Sequence, residues 1–208
     1  MTEKIDLLDS SVKDFLASAA AKTPTPGGGS VAGVVGGLAT ALGEMTLNFT
    51  RGKKKFVDHA ELHENLSARL ERARGMFLAL VADDMEAYGM YREASAMEDG
   101  PEKEKASELA LAAAIDVPRQ MAKLALAVLE DLDKLTPCCN QYLITDLIAG
   151  AALASATTVL CDLNVRINTP SLDDKQAAAD ISQASTSDRN KAAKMAIEIE
   201  EKLKAFLG

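Results

Sequence analysis

TPTPGGGSVAGVVGGLATALG, residues 23–43, carries no charged side chain and holds seven of the chain's 13 glycines. Two prolines and three consecutive glycines break whatever precedes them. Ser30 is a good N-cap, and the run beyond it predicts a helix over 30–48, ended by Arg51-Gly52. Gly29, Gly33, Gly36, Gly37, Thr40 and Gly43 put small side chains along one face of that helix, so another helix can come unusually close. Close helix packing also suits the composition, in which 48% of residues are hydrophobic, only 4% are aromatic and there is no Trp. Strands usually recruit β-branched and aromatic side chains, so the fold class predicted here is all-α.

Working outward, apolar spacing at Ile5, Leu8, Val12, Phe15, Leu16 and Ala19 predicts an amphipathic helix over 4–21. Asp58 is placed to cap a third helix reaching about residue 97, a span of roughly 58 Å at 1.5 Å per residue. Glu98-Asp99-Gly100-Pro101 reads as a turn, with Pro101 at the first position of the next helix. Asp116-Val117-Pro118 predicts a cap or a kink, and Pro137 marks another break. A largely uncharged helix over 140–162 follows, 164–170 is a connection, and Ser171-Leu172-Asp173-Asp174 opens a last helix to about residue 206. A chain of 208 residues buries a substantial core without disulfide staples. The expected architecture is one domain over 1–208, an up-and-down bundle of long helices.

The net charge is −8, which argues against a nucleic-acid or anionic-membrane surface spread over the molecule. Much of the acid excess falls between positions 83 and 134, as a solvated helix face would. The N-terminus lacks the pattern of a secretory signal, and Cys138, Cys139 and Cys161 make no extracellular disulfide framework. A reducing cytoplasm is expected. Residues 23–43 and 135–161 are apolar enough to suggest membrane spans, but their Pro, Gly, Ser, Thr and Asn content favours buried helices.

Several residues could carry chemistry. The amides of Gly27, Gly28 and Gly29 can approach an anionic or carbonyl-bearing ligand unobstructed, although the loop is neither a Walker nor a Rossmann motif. Arg51-Gly52-Lys53-Lys54-Lys55 is a compact basic cluster: a solvated turn, or a lure for an anionic small molecule. Asp84 interrupts an otherwise apolar seam at Phe77, Val81, Tyr88 and Tyr91, as a buried ion-pair partner or a general acid/base. Asp146 is the only charge between positions 135 and 161 and raises the same two readings. Asn140, Asn164 and Asn168 sit near helix ends, where capping competes with ligand binding. His59 and His63 lack the glutamate of a His-Glu-x-x-His motif and read as surface histidines, with no metal site expected.

Thr23-Pro-Thr-Pro-Gly-Gly-Gly-Ser-Val-Ala-Gly33 followed by Asn48-Phe-Thr-Arg-Gly-Lys-Lys-Lys-Phe56 closely resembles the formiminotransferase-cyclodeaminase C-terminal family. Asp83-Asp84-Met-Glu-Ala-Tyr88, Asp116-Val-Pro118, Asn140 with Thr145-Asp146, and Asn164-Val-Arg-Ile-Asn168 extend the resemblance in order over most of the chain. It implies a helical homodimer acting on tetrahydrofolate, either as a methenyltetrahydrofolate cyclohydrolase or as a formimidoyltetrahydrofolate cyclodeaminase. No accompanying formiminotransferase domain is expected. Asp84, then Asp146, become the catalytic candidates, with Pro26, Gly27, Gly28, Gly29, Ser30, Asn48, Lys53, Lys54, Lys55, Asn140 and Asn164 as the substrate-binding set. The lysines would attract a glutamate tail, including polyglutamylated forms, while Asn48 and the glycine amides would address the pterin; the reverse assignment fits nearly as well. Folate is then substrate, and no cofactor or metal is expected. The alternative from another class is a non-catalytic helical dimer that binds folate or another anion and regulates a partner.

Overall fold

The computed structural model describes residues 9–206. Among these, six α-helices and four short 3₁₀ turns account for the regular structure, with no strand. They are α1 (Val12–Ala20), α2 (Gly28–Asn48), α3 (Ala60–Ala96), α4 (Pro101–Leu135), α5 (Ile144–Asn168) and α6 (Lys175–Leu203). Successive helices from α2 to α6 reverse direction. α2 packs on α3 and α5, α4 bridges α3 and α5, and α6 lies in the groove between α4 and α5. One core runs through them, built on Phe77, Leu70, Met121, Leu129, Leu132 and Leu147. This is the all-α, single-domain bundle expected.

Its helix ends depart from expectation in informative ways. α1 is capped by Ser11, which accepts the Asp14 amide at 3.1 Å, but it buries no residue. Positions 4–8 of the predicted first helix lie outside the described residues. α2 begins two residues before Ser30, at Gly28, and its N-cap Gly27 supplies no side chain. Ser30 is inside the first turn and its hydroxyl is used elsewhere. Asp58 does not cap α3: it falls in the 3₁₀ turn Lys54–His59, and α3 starts at Ala60. α5 begins later than predicted, after the 3₁₀ turn Gln141–Leu143, and continues to Asn168. The predicted connection 164–170 is therefore mostly helix, and within it Asn164 and Asn168 turn their side-chain amides back onto the carbonyls of Leu160 and Asn164, at 2.8 and 2.9 Å. Asp174 is the side chain that caps α6, accepting the amides of Gln176 and Ala177.

α4 also runs on through Asp116-Val117-Pro118, where a cap or a kink was expected, so no cap ends a helix there. Pro118 sits inside it, buried. The carbonyl one turn earlier, on Ala114, loses its normal amide partner to the proline. Asn168 Nδ2 of α5 donates to that carbonyl instead, at 3.3 Å.

The small-residue face of α2 does what its spacing suggested. A methyl group at Gly36 would overlap the Phe77 ring, and one at Gly43 would stand 2.5 Å from Leu132. Both are closer than carbon atoms can pack. α2 therefore seats against α3 and α4 at backbone distance.

Candidate active site

At the start of α2, Gly27, Gly28 and Gly29 form one wall of a cavity of about 870 Å³. That volume is in the range of small-molecule sites. α3 contributes Asp84, Tyr88 and Tyr91; α4 contributes Glu108 and Ala114; α5 contributes Asn164 and Asn168. The apolar seam of α3 explains the geometry. Phe77 and Val81 are buried in the core, Asp84 and Tyr88 are half-buried, and Tyr91 is exposed. The seam thus emerges from the core at Asp84 and lines the cavity beyond it.

Asp84 is built into the first turn of α2. A methyl at Gly29 would lie 2.5 Å from its carboxyl carbon, so only glycine leaves room for the carboxylate. Ser30 is fully buried and its hydroxyl donates to Asp84 Oδ2 at 2.9 Å. The first turn of α2 has neither a side-chain cap nor an acidic residue of its own. Asp84 supplies, from another helix, the negative charge that a helix N-terminus favours. Burial nevertheless pushes the Asp84 carboxyl above its ordinary range, opposed by the hydrogen bonding of Ser30. Cys161, buried nearby, is pushed up to about 12 by burial and by the charge of Asp84, so it stays a thiol.

Such a carboxyl holds its proton to higher pH than an ordinary aspartate, and the Ser30 hydroxyl works against that shift. With Ser30→Ala, the donor that favours the ionised form is lost. The acid limb of the kcat/KM pH profile is then expected to move to higher pH, while Ser30→Thr keeps it near the wild-type position. Profiles measured on the three proteins check this.

The remaining sequence candidates divide into two groups. Pro26, Gly27, Gly28, Gly29, Ser30, Asp84 and Asn164 collect around the cavity end, with Pro26 buried beside the glycines. Asn48, Lys53, Lys54, Lys55, Asn140 and Asp146 lie at the opposite pole. From Gly29 to Asn48 along α2, and from Asn164 back to Asp146 along α5, the separation is roughly 28 Å at 1.5 Å per residue. Within one chain the two aspartates do not share a site. Asn140 is occupied structurally: its backbone amide donates to Thr50 Oγ1 at 2.9 Å, its side-chain amide donates to the Phe49 carbonyl, and its Oδ1 accepts from Tyr142 N. The three lysines are exposed. His63, read as a surface residue, is buried, with Nε2 3.1 Å from the Cys138 carbonyl and Nδ1 unpartnered. Its apolar surroundings lower its pKa. Tyr88, Tyr91 and Glu108 were not among the site candidates, and Asn168, weighed as a cap or a ligand-binding residue, was left out of the substrate-binding set. Tyr88 and Asn168 stand one helical turn beyond Asp84 and Asn164, a spacing that places them on the same face.

The family model described as formiminotransferase-cyclodeaminase matches residues 11–187. A methenyltetrahydrofolate cyclohydrolase from Methylorubrum extorquens is 33% identical over 177 residues, covering 80% of this chain and 83% of that protein. A formimidoyltransferase-cyclodeaminase from Gallus gallus is 28% identical over 177 residues, covering 83% of this chain and 33% of that protein. The chain thus spans about a third of that longer relative. A solved structure of a formiminotetrahydrofolate cyclodeaminase from Thermotoga maritima superposes with a TM-score of 0.88 at 28% identity, over 98% of this chain and 100% of that one.

Proposed function

The chain belongs to the formiminotransferase-cyclodeaminase family, and from that premise we propose that the cavity at the head of α2 is its active site, with Asp84 as the acid/base. It is an enzyme of one-carbon tetrahydrofolate chemistry, a methenyltetrahydrofolate cyclohydrolase or a formimidoyltetrahydrofolate cyclodeaminase. The observation that carries the site assignment is the placement of Asp84: a carboxylate half-buried in the cavity wall, anchored through one oxygen by Ser30.

Both reactions occur at the carbon between N5 and N10. In cyclodeamination, N10 attacks the carbon of the protonated formimino group on N5 and gives up its proton, and the formimino nitrogen, already carrying two hydrogens, takes that proton and leaves as ammonia as the methenyl cation closes. In hydrolysis, water adds to the cationic methenyl carbon. The C–N5 bond then breaks, N5 takes one of the water's protons, and the other is released. Each route needs one group that accepts and returns a proton beside a tetrahedral carbon. Asp84 fits that role. The bridging carbon is already amidinium-like, so the reaction demands neither metal nor organic cofactor. One assay separates the two activities: loss of methenyl absorbance reports hydrolysis, and ammonia release from 5-formiminotetrahydrofolate reports deamination.

We further propose a working homodimer. On α2, Val31, Val34, Leu38, Leu42, Met45 and Phe49 repeat at intervals of three and four on the side away from the core, with Leu38 54% and Phe49 56% exposed. Neighbouring α5 adds exposed Ala149, Ala152, Ala156, Leu163 and Ile167. A continuous apolar face with this period suits a second copy of the same helices. An antiparallel copy would bring its own lysine cluster to this chain's cavity, which has no basic side chain among its described lining residues. Leu38→Glu is therefore expected to yield monomers in sedimentation, and Lys53, Lys54 and Lys55 changed together to Gln to weaken long glutamate tails more than short ones. Equal loss for both lengths, or none, would defeat the tail role.

A further inference from the structure

Asn168 lies at the C-terminal end of α5 and lines the cavity. Its Nδ2 donates twice, to the Asn164 carbonyl at 2.9 Å and to the Ala114 carbonyl at 3.3 Å. The second acceptor exists because Pro118 has no amide to offer Ala114. Asn164 Nδ2 is held in the same way by the Leu160 carbonyl at 2.8 Å. Turning either side-chain amide over would set its oxygen against a carbonyl oxygen, so the nitrogens are assigned by their partners. Both side-chain oxygens remain. Neither is a buried atom without a partner, and both side chains border the cavity.

The rest of the wall has the same character. Its charged members are Asp84, Glu108 and Asp173, and no Lys or Arg appears among the described lining residues. Asn164 stands beside Gly28, within 3.8 Å of where a methyl there would be. The charged part of the wall is thus acidic, and the two asparagine oxygens add acceptors to it. Resting on the folate reading, we infer that Asn164 and Asn168 are specificity residues whose oxygens receive the N–H donors of the reduced pterin, so that the pterin head enters the cavity and the acidic tail leaves through its mouth. The head presents a 2-amino group, N3–H and N8–H, and carries a one-carbon unit that is cationic in the methenyl and protonated formimino forms. The tail offers carboxylates, which the wall would repel.

Two fragments test this on the full chain, by calorimetry and as competitors of turnover: 6-methyltetrahydropterin for the head and p-aminobenzoylglutamate for the tail. The head is expected to bind and compete, and the tail fragment to do so far more weakly at equal concentration. Asn168→Ala and Asn164→Ala are each expected to weaken the head by roughly tenfold, the loss of about one hydrogen bond, and to raise KM more than they lower kcat. A tail fragment that competes as well as the head overturns the inference without any variant having to fold. So do folded variants that bind the head as tightly as the wild type. If the head binds and the variants lose it while neither folate is converted, the orientation stands and the catalytic reading fails. Conversion of folate with no binding of the head fragment fails the orientation alone.

Discussion

Asp84→Asn is expected to cut turnover by about a hundred- to ten-thousand-fold, the usual worth of a positioned acid/base. The amide keeps the size of the carboxylate and can still accept from Ser30, so the bundle should be undisturbed. Stability should move the other way. Burial raises the carboxyl of the folded protein above its ordinary value of 3.8, so the folded state holds the proton more tightly than the unfolded chain. For such a group, stability is highest below the unfolded pKa and is lost as pH rises through the folded pKa. The charged side chain therefore costs stability at neutral pH, and Asn removes that cost. The variant should melt higher than the wild type at pH 7, with the difference vanishing below about pH 4. Melting curves at both pH values, beside kcat, check this. Asp146→Asn, at the far pole, should leave kcat near wild type. A substantial loss there with a mild one at Asp84 would move the chemistry to the other end of the bundle.

Gly29→Ala should be nearly as damaging, for a steric reason. The new methyl would fall 2.5 Å from the Asp84 carboxyl carbon and 2.8 Å from Oδ2. Alanine is the better helix former by about 1 kcal/mol, but overpacking at such a contact costs about 1–3 kcal/mol. The side chain most able to yield is Asp84, and yielding breaks its bond to Ser30. A displacement of about 1 Å at a reacting group is enough to cost about a hundredfold in rate. We expect that loss in kcat together with lower stability. Gly89 is the control, since an added methyl there meets nothing within 4 Å. Gly89→Ala, inside α3, should stabilise the protein by about 0.5–1 kcal/mol. Rate and urea denaturation measured on both variants separate local crowding from a general effect of replacing glycine.

Much of the fold was readable before any coordinates. The uncharged glycine run announced a close-packed α2, and the position of Asp84 in an apolar seam marked it as anomalous. Helix ends were harder because they depend on partners distant in sequence. Ser30 looks like a cap, yet its hydroxyl answers to a carboxylate on α3. Pro118 looks like a cap or a kink, yet the helix runs through it and α5 satisfies the carbonyl it exposes. Asn164 and Asn168 look like connection residues, yet both lie inside α5 with their side-chain amides bonded to the preceding turn. Spacing along the chain also gives no sign that Lys53–Lys55 and Gly27–Gly29 lie at opposite poles until the helix between them is laid out at 1.5 Å per residue. That separation turns one expected binding set into two, which the proposed second copy of the chain would rejoin.

The central claim is that this chain converts one-carbon tetrahydrofolates at the head of α2. The most direct measurement gives the purified wild-type protein 5,10-methenyltetrahydrofolate and 5-formiminotetrahydrofolate in separate reactions, following absorbance and ammonia. Conversion of at least one, in proportion to protein added and abolished by Asp84→Asn, is the predicted result. Folded protein that converts neither, or conversion undiminished in the Asp84 variant, would contradict it.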